Sequence, residues 1–260
     1  MVILPYTINW QVLTMDEKLM TICKRLKTPG IYGSYERIIR QAKQEKMGYI
    51  EFLFEILQSE VISREGKNMM KRIKKASFPT PKRFEELNED KLPTNAREHI
   101  NELKNLEFIE ENKNIILLGN SGTGKTHLAT AIGMKACEEG YNVLFKTAAG
   151  LINELKEAKD EKQLVKYAKQ FKKLDLVIID ELGYISFDLE GAELLFQYLA
   201  MRYETKSTLI TTNLIFSEWI NIFKDKALTM ALLDRITHNA LIINMTGNSY
   251  RRTKNNTQER

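Results

Sequence analysis

Between residues 115 and 243 the chain alternates short apolar runs with longer stretches of helical periodicity. Residues 115–118, 143–145, 176–179, 208–211 and 241–243 read as strands, apolar along nearly their whole length. Residues 125–139, 190–203 and 228–237 read as helices, and two more helices fill the interval between the second and third strands. Strands this short and this uniformly apolar need cover on both faces, and strands joined through helices run parallel. The expected core is therefore α/β, with a five-stranded parallel sheet. A hydrophobic content of 43% in 260 residues supplies enough apolar surface for such a core and excludes a disordered or fibrous chain.

The preceding segment differs in kind. Thr14 and Glu17 form a capping-box pattern opening a helix that closes before Pro29. A second helix is expected over about 35–44. A third and longer one runs over 49–76, with Ile50, Leu53, Phe54, Leu57 and Val61 at helical spacing and Pro79 and Pro81 beyond its end. Residues 64–83 hold eight basic side chains against the single acid Glu65, whereas 85–112 hold nine acids against Lys91, Arg97 and Lys104. That reversal around two prolines marks a junction. The reading is a small all-helical N-terminal domain, 1–78, followed by the α/β domain, 79–260. A second capping-box pattern, Asn95 and Glu98, opens a short helix before the first strand.

Cys23 and Cys137 lack a second ligand at metal spacing, which argues against a zinc site or a disulfide scaffold. No run approaches the roughly 18 apolar residues of a membrane span. Residues 2–13 are apolar but interrupted by Asn9 and Gln11 and preceded by no basic residue, so they do not fit a secretory signal. A cytoplasmic protein with no membrane association is expected. Residues 1–13 read either as a poorly ordered lead-in or as a docking segment.

The chemistry concentrates at the ends of strands. Gly119-Asn120-Ser121-Gly122-Thr123-Gly124-Lys125-Thr126 satisfies G-x-x-x-x-G-K-[ST] immediately after an apolar strand and at the start of a helix. Its glycines let successive backbone N–H groups and the helix N-terminus face an anion, Lys125 reaches the β- and γ-phosphates, and Thr126 ligates magnesium. The strand at 176–179 ends in Asp180 and Glu181. Asp180 suits a magnesium site and Glu181 suits activation of a water for attack on the γ-phosphate. Asn213, after the fourth strand, is placed to orient that water. His127 beside the loop reads as a packing or hydrogen-bonding residue at the nucleotide site. Arg235, flanked by apolar residues near the end of a helix, needs a partner: an acid in the same chain or a nucleotide on a neighbouring subunit. Lys162, Lys166, Lys169 and Lys173 fall at i, i+4, i+7 and i+11, within roughly a 60° arc on a helix. Such a stripe is a solvated face or a contact for phosphate backbone. Lys71, Arg72, Lys74 and Lys75 form the rival basic surface.

Gly-x-x-x-x-Gly-Lys-Thr-His-Leu-Ala from 119, Asp-Glu-Leu-Gly-Tyr at 180–184, Leu-Phe-Gln at 195–197, Arg202-Tyr203-Glu204, Thr-Thr-Asn at 211–213, Leu-Asp-Arg at 233–235 and Gly-x-Ser-Tyr-Arg at 247–251 together resemble an IstB-like ATPase. These are insertion-sequence helper proteins with an AAA+ P-loop NTPase core, close to the DnaC-type helicase loaders. The likeness runs from about Leu26 to Arg252 and includes Pro-Gly-Ile-Tyr-x-Ser-Tyr-Glu at 29–36. It implies ATP at 119–126, Asp180 and Glu181 as the magnesium and water-activating pair, and Asn213 as first sensor. It further implies Arg235 as an arginine finger acting on the next subunit and Arg251 as second sensor. The two helices between the second and third strands correspond to a DNA-contacting insertion, matching the lysine stripe. Two departures stand out: Thr212 replaces a frequent Ser, and only about 16 residues follow the last strand, too few for the usual AAA+ helical lid. The resemblance implies an ATPase that assembles as a homo-oligomer on duplex DNA with ATP and Mg2+ and delivers the site to the transposase of the same element. A helicase loader and an ATP-assembled DNA-bending scaffold are the alternatives; a small-molecule kinase lacks an acceptor-binding region.

Overall fold

The computed structural model describes residues 10–247. The chain divides into two compact units, Met1–Met70 and Lys71–Arg260.

The first unit is helical. α1 (Met15–Leu26) begins at the expected capping box, where the Glu17 amide donates to Thr14 Oγ1 at 3.3 Å and the Thr14 amide donates to Glu17 Oε2 at 2.8 Å. α2 (Pro29–Glu45) starts six residues earlier than expected. Pro29 occupies the first helical turn, where its missing N–H costs nothing and its fixed φ is already helical. No side chain at Thr28 caps α2. Glu60, from α3 (Tyr49–Ala76), does so instead, accepting the Gly30 and Ile31 amides at 2.7 and 3.2 Å. Burial pushes the Glu60 carboxyl up, but Arg64 and these two amides outweigh it and hold the group below its ordinary range. A Cβ on Gly30 would lie 2.6 Å from Ser63 Cβ and 2.8 Å from Ser59 O, so glycine sets how closely α2 and α3 cross. The stripe Ile50, Leu53, Phe54, Leu57 and Val61 is exposed; the contact with α2 is made through Ser59, Glu60 and Ser63.

The second unit takes in the end of α3, where Ala76 is buried and Ile73 packs on the core. Next come α4 (Thr94–Glu98), α5 (Ile100–Asn105), α6 (Glu107–Glu110), β1 (Asn114–Leu118), α7 (Lys125–Glu138), β2 (Val143–Thr147), α8 (Ala148–Asp160) and α9 (Leu164–Phe171). They are followed by β3 (Leu176–Leu182), α10 (Leu189–Ala200), β4 (Ser207–Thr212), α11 (Ile220–Phe223), α12 (Lys226–His238) and β5 (Ala240–Asn244). The five strands form one parallel sheet in the order β2-β3-β4-β1-β5. The expected α/β core with a five-stranded parallel sheet is thus the observed one. Side-chain alternation divides the buried residues into two layers: Ile115, Leu117, Ile178 and Leu209 join α7 on one face, while Ile116, Val177, Ile179 and Ile210 join α8, α10 and α12 on the other.

Two local expectations are corrected. Asn95 does not cap a helix: α4 begins at Thr94, and Asn95 Oδ1 accepts the Asn244 backbone amide at 2.8 Å, tying α4 to the end of β5. Lys162 to Lys173 do not share one helix. Lys162 sits in a left-handed turn after α8, Lys173 follows α9, and only Lys166 and Lys169 lie within α9. All four remain exposed.

Arg202, part of a motif noted in the sequence, is a buried structural clamp. Its guanidinium donates to the carbonyls of Phe171, Leu174, Asp175 and Ser207 and to Thr208 Oγ1, at 2.6–3.4 Å, and lies over the Phe171 ring. It joins the end of α9 to the starts of β3 and β4.

Candidate functional site

The C-terminal ends of β1, β3 and β4 converge on the loop that precedes α7. The Gly119 amide donates to Thr212 O on β4 at 3.1 Å. A Cβ at Gly119 would fall 2.5 Å from Met245 O, so the loop can leave the sheet here only as glycine. Gly124 precedes α7 with φ 93°, and no side chain caps that helix. A helix N-terminus so placed presents its dipole and first-turn N–H groups to an anion. Lys125 is buried, and its ammonium folds back to donate to Gly119 O at 2.6 Å and Asn120 O at 2.7 Å.

Thr126, on the first turn of α7, donates through Oγ1 to Asp180, 3.0 Å from each carboxylate oxygen. Asp180 is only 3% exposed. It also accepts from Thr211 Oγ1 at 2.5 Å. Glu181, the next residue, is exposed and has φ 60°, a left-handed conformation that costs a side-chain-bearing residue about 1–3 kcal/mol. The cause is a bulge. Ile179 pairs with Ile210 and Leu182 with Thr212, so two residues of β3 face one of β4. The Glu181 amide donates to Thr211 Oγ1 at 3.0 Å. Asp180, Glu181 and Thr126 therefore share one end of the sheet.

A cavity of about 540 Å³ opens beside these groups, lined by Ser121, Gly122, Gly124, Lys125, Thr126, His127, Glu181 and Thr211. Lys82, Glu86, Leu87, Asn88, Lys91 and Leu92 close another side, with Tyr184 at the edge. The residues after the two prolines thus reach the site, which sequence reasoning did not anticipate; nothing in their composition distinguishes a wall from a linker. His127 packs at this wall. Burial lowers its pKa, Lys82 lowers it further, and Glu86 only partly opposes them. The charged imidazolium is accordingly disfavoured, and Nε2 is buried without a hydrogen-bond partner among the described residues.

The remaining candidates lie at varying distance. Asn213 follows β4 and is exposed, its Oδ1 3.3 Å from where a Cβ on Gly183 would sit, just beyond Glu181. Arg235 does not line the cavity. It lies half-buried on α12, donating to Ala231 O at 2.9 Å with its guanidinium 5.1 Å from the Phe196 ring centroid. Among the described residues no carboxylate forms an ion pair with it. Arg251 falls outside the described residues. Of the basic residues, Lys71, Lys74 and Lys75 are exposed, whereas Arg72 donates to Cys137 O at 2.8 Å at the end of α7 and so has a structural partner. Among the described residues no helix is long and apolar enough to cross a membrane.

A family model described as IstB-like ATP binding protein matches residues 21–258. This chain belongs to that family. The IstB-like assignment agrees with individual relatives. The ATP-binding protein of insertion sequence IS5376 from Geobacillus stearothermophilus is 37% identical over 94% of this chain and 98% of its own length. That of IS21 from Pseudomonas aeruginosa is 38% identical over 90% and 88%. Among solved structures, AMPPCP-bound DnaA from Aquifex aeolicus superposes with a TM-score of 0.55 over 71% of this chain and 57% of that one, at 19% identity. The DnaC helicase loader does so at 0.51 over 67% and 99%, at 22% identity. These likenesses establish for the IstB-like chain the AAA+ P-loop fold.

Proposed function

We propose that this chain is an ATP-dependent transposition helper: it binds ATP, hydrolyses it, assembles with copies of itself on duplex DNA, and recruits or stimulates the transposase of the same element in the cytoplasm. The observation that carries the ATPase reading is the meeting of Lys125, Thr126 and Glu181 at one cavity wall beside the loop, with Asp180 buried directly behind Thr126 and hydrogen-bonded to it. On nucleotide binding, Lys125 exchanges a loop carbonyl for phosphate oxygens, and the 119–124 backbone takes up the phosphate charge. Thr126 and Asp180 offer Mg2+ a hydroxyl and a carboxylate, the hard oxygen donors that this ion takes alongside phosphate. When bound, the ion neutralises charge on the β- and γ-phosphates. Glu181 accepts a proton from the attacking water, and Asn213 orients that water. Arg235, lacking an acidic partner among the described residues and lying away from its own cavity, serves the nucleotide of a neighbouring copy. Arg251 is the corresponding second sensor.

The exposed lysines 162, 166, 169 and 173 supply the DNA contact, since exposed cations are available to meet phosphates. Lys71, Arg72, Lys74 and Lys75 are the rival surface, weakened by the commitment of Arg72 to Cys137 O. The functional division falls between a helical domain, 1–78, and the ATPase domain, 79–260. A transposase is favoured over a helicase as partner because the curated relatives belong to insertion sequences, while the DnaC likeness extends to fold alone.

ATPase rates and nucleotide binding of the intact chain, with and without duplex DNA, test this reading. Lys125→Ala should lose nucleotide binding. Glu181→Gln should retain it while hydrolysis falls by about 100-fold or more. A Glu181→Gln protein with the wild-type rate overturns the assignment.

A further inference from the structure

We infer that Thr211 is the positioning residue of this site, acting through Asp180 and Glu181. The inference rests on the ATPase reading above and names a residue that reading does not use.

The sequence presents two consecutive carboxylates at a strand end. In an uninterrupted strand, successive side chains point to opposite faces, so Asp180 and Glu181 would be divided between the two layers of the core. Ile178 belongs to the layer of α7, and Val177 and Ile179 to the layer of α8 and α10. Were the alternation kept, Leu182 would join Ile178. It joins Val177 and Ile179 instead. One extra residue has therefore been inserted, and the bulge opposite Thr211 is where it sits. Because of that insertion Glu181 escapes the apolar layer and lines the cavity.

A bulge releases a backbone amide from the ladder, and a released amide needs an acceptor. Thr211 supplies it. Its hydroxyl accepts the Glu181 amide at 3.0 Å and donates its own proton to Asp180 Oδ1 at 2.5 Å. One oxygen thus holds the left-handed backbone of Glu181 and the orientation of the Asp180 carboxylate, whose two oxygens also accept from Thr126. Thr211 is 1% exposed, so no water replaces the hydroxyl without rearrangement. Valine matches the shape of threonine and lacks both functions; serine keeps both.

The test compares Thr211→Val and Thr211→Ser with the wild-type chain by steady-state ATPase kinetics, binding of a fluorescent ATP analogue, and amide exchange of the peptide spanning 179–183. Thr211→Val should lower kcat by about 10- to 100-fold, as loss of an outer positioning group does, while KM and analogue affinity stay within about three-fold. Exchange at 179–183 should accelerate. Thr211→Ser should restore slow exchange and most of kcat. The proposal is overturned if Thr211→Val keeps kcat within about three-fold of wild type, or if Val and Ser lose kcat alike. Wild-type chain without ATPase activity, or Glu181→Gln hydrolysing at the wild-type rate, overturns the ATPase reading and this inference with it. Hydrolysis that needs Glu181 and ignores Thr211→Val overturns this inference alone.

Discussion

Replacing Arg202 by Met sets two large effects against each other. The guanidinium is buried, and burial lowers its pKa well below the ordinary arginine value, to about 9, with Asp175 only partly opposing. That shift corresponds to about 5 kcal/mol of cost in keeping the group charged inside the fold, which Met removes. Against this, the substitution abandons four backbone carbonyls and the Thr208 hydroxyl. At about 1–3 kcal/mol for each buried acceptor left unpaired, the four carbonyls alone cost about 4–12 kcal/mol. The acceptors win for most of that range, and Arg202→Met should destabilise the α/β unit by about 3 kcal/mol. Urea unfolding followed by fluorescence of Trp219, which is buried in that unit, measures it. Unfolding at neutral pH with a midpoint equal to or above wild type would refute the reasoning, because the burial cost would then exceed what the carbonyls gain. Arg202→Lys should not rescue, since one ammonium cannot span acceptors on α9, β3 and β4 together.

The trans role of Arg235 predicts that mixing Arg235→Ala with Lys125→Ala subunits restores hydrolysis at composite sites; rates no higher than those of the separate variants would assign the arginine to its Phe196 and Ala231 contacts alone. Duplex affinity should depend on salt, and replacing Lys162, Lys166, Lys169 and Lys173 by Gln should reduce the slope of log affinity against log salt by about 0.9 for each phosphate that is no longer neutralised. If only neutralising Lys71, Arg72, Lys74 and Lys75 does so, the DNA surface lies on that segment. Because the Glu60 pKa is depressed, its contribution to the helical unit is present above the ordinary value of 4.5 and is lost as pH falls through the folded pKa. Helicity of Glu60→Gln followed by circular dichroism should be lower at neutral pH and less acid-sensitive than wild type, and matching acid titrations would contradict the capping role.

Much of the site was legible because its parts are local. The G-x-x-x-x-G-K-[ST] loop is a contiguous backbone shape bounded by a strand and a helix, and the Asp180-Glu181 pair ends an apolar run; each follows from neighbours within a few residues. Strand count and parallel pairing were legible for the same reason, since uniformly apolar strands separated by helices leave one way to cover both faces. Strand order was not, because neighbours in the sheet are distant in sequence and side-chain alternation is the same in every order. The helix starts at Pro29 and Thr94 depended on partners elsewhere in the chain: Glu60 caps the first across thirty residues, and the Asn244 amide occupies the Asn95 side-chain oxygen that would otherwise serve as a cap. The lysine stripe assumed a single helix, but the turn at Lys162 ends one and the next holds two of the four. Thr211 could not be singled out, since a threonine in a buried strand is ordinary until a bulge on the adjacent strand frees an amide opposite it. The sequence by itself determined which groups gather around the loop before α7, because those groups are carried on continuous segments. Only the tertiary structure decided how Glu181 reaches the cavity while Asp180 stays buried against Thr126 and Thr211, because that depends on a single extra residue in β3 registered against a hydroxyl on β4.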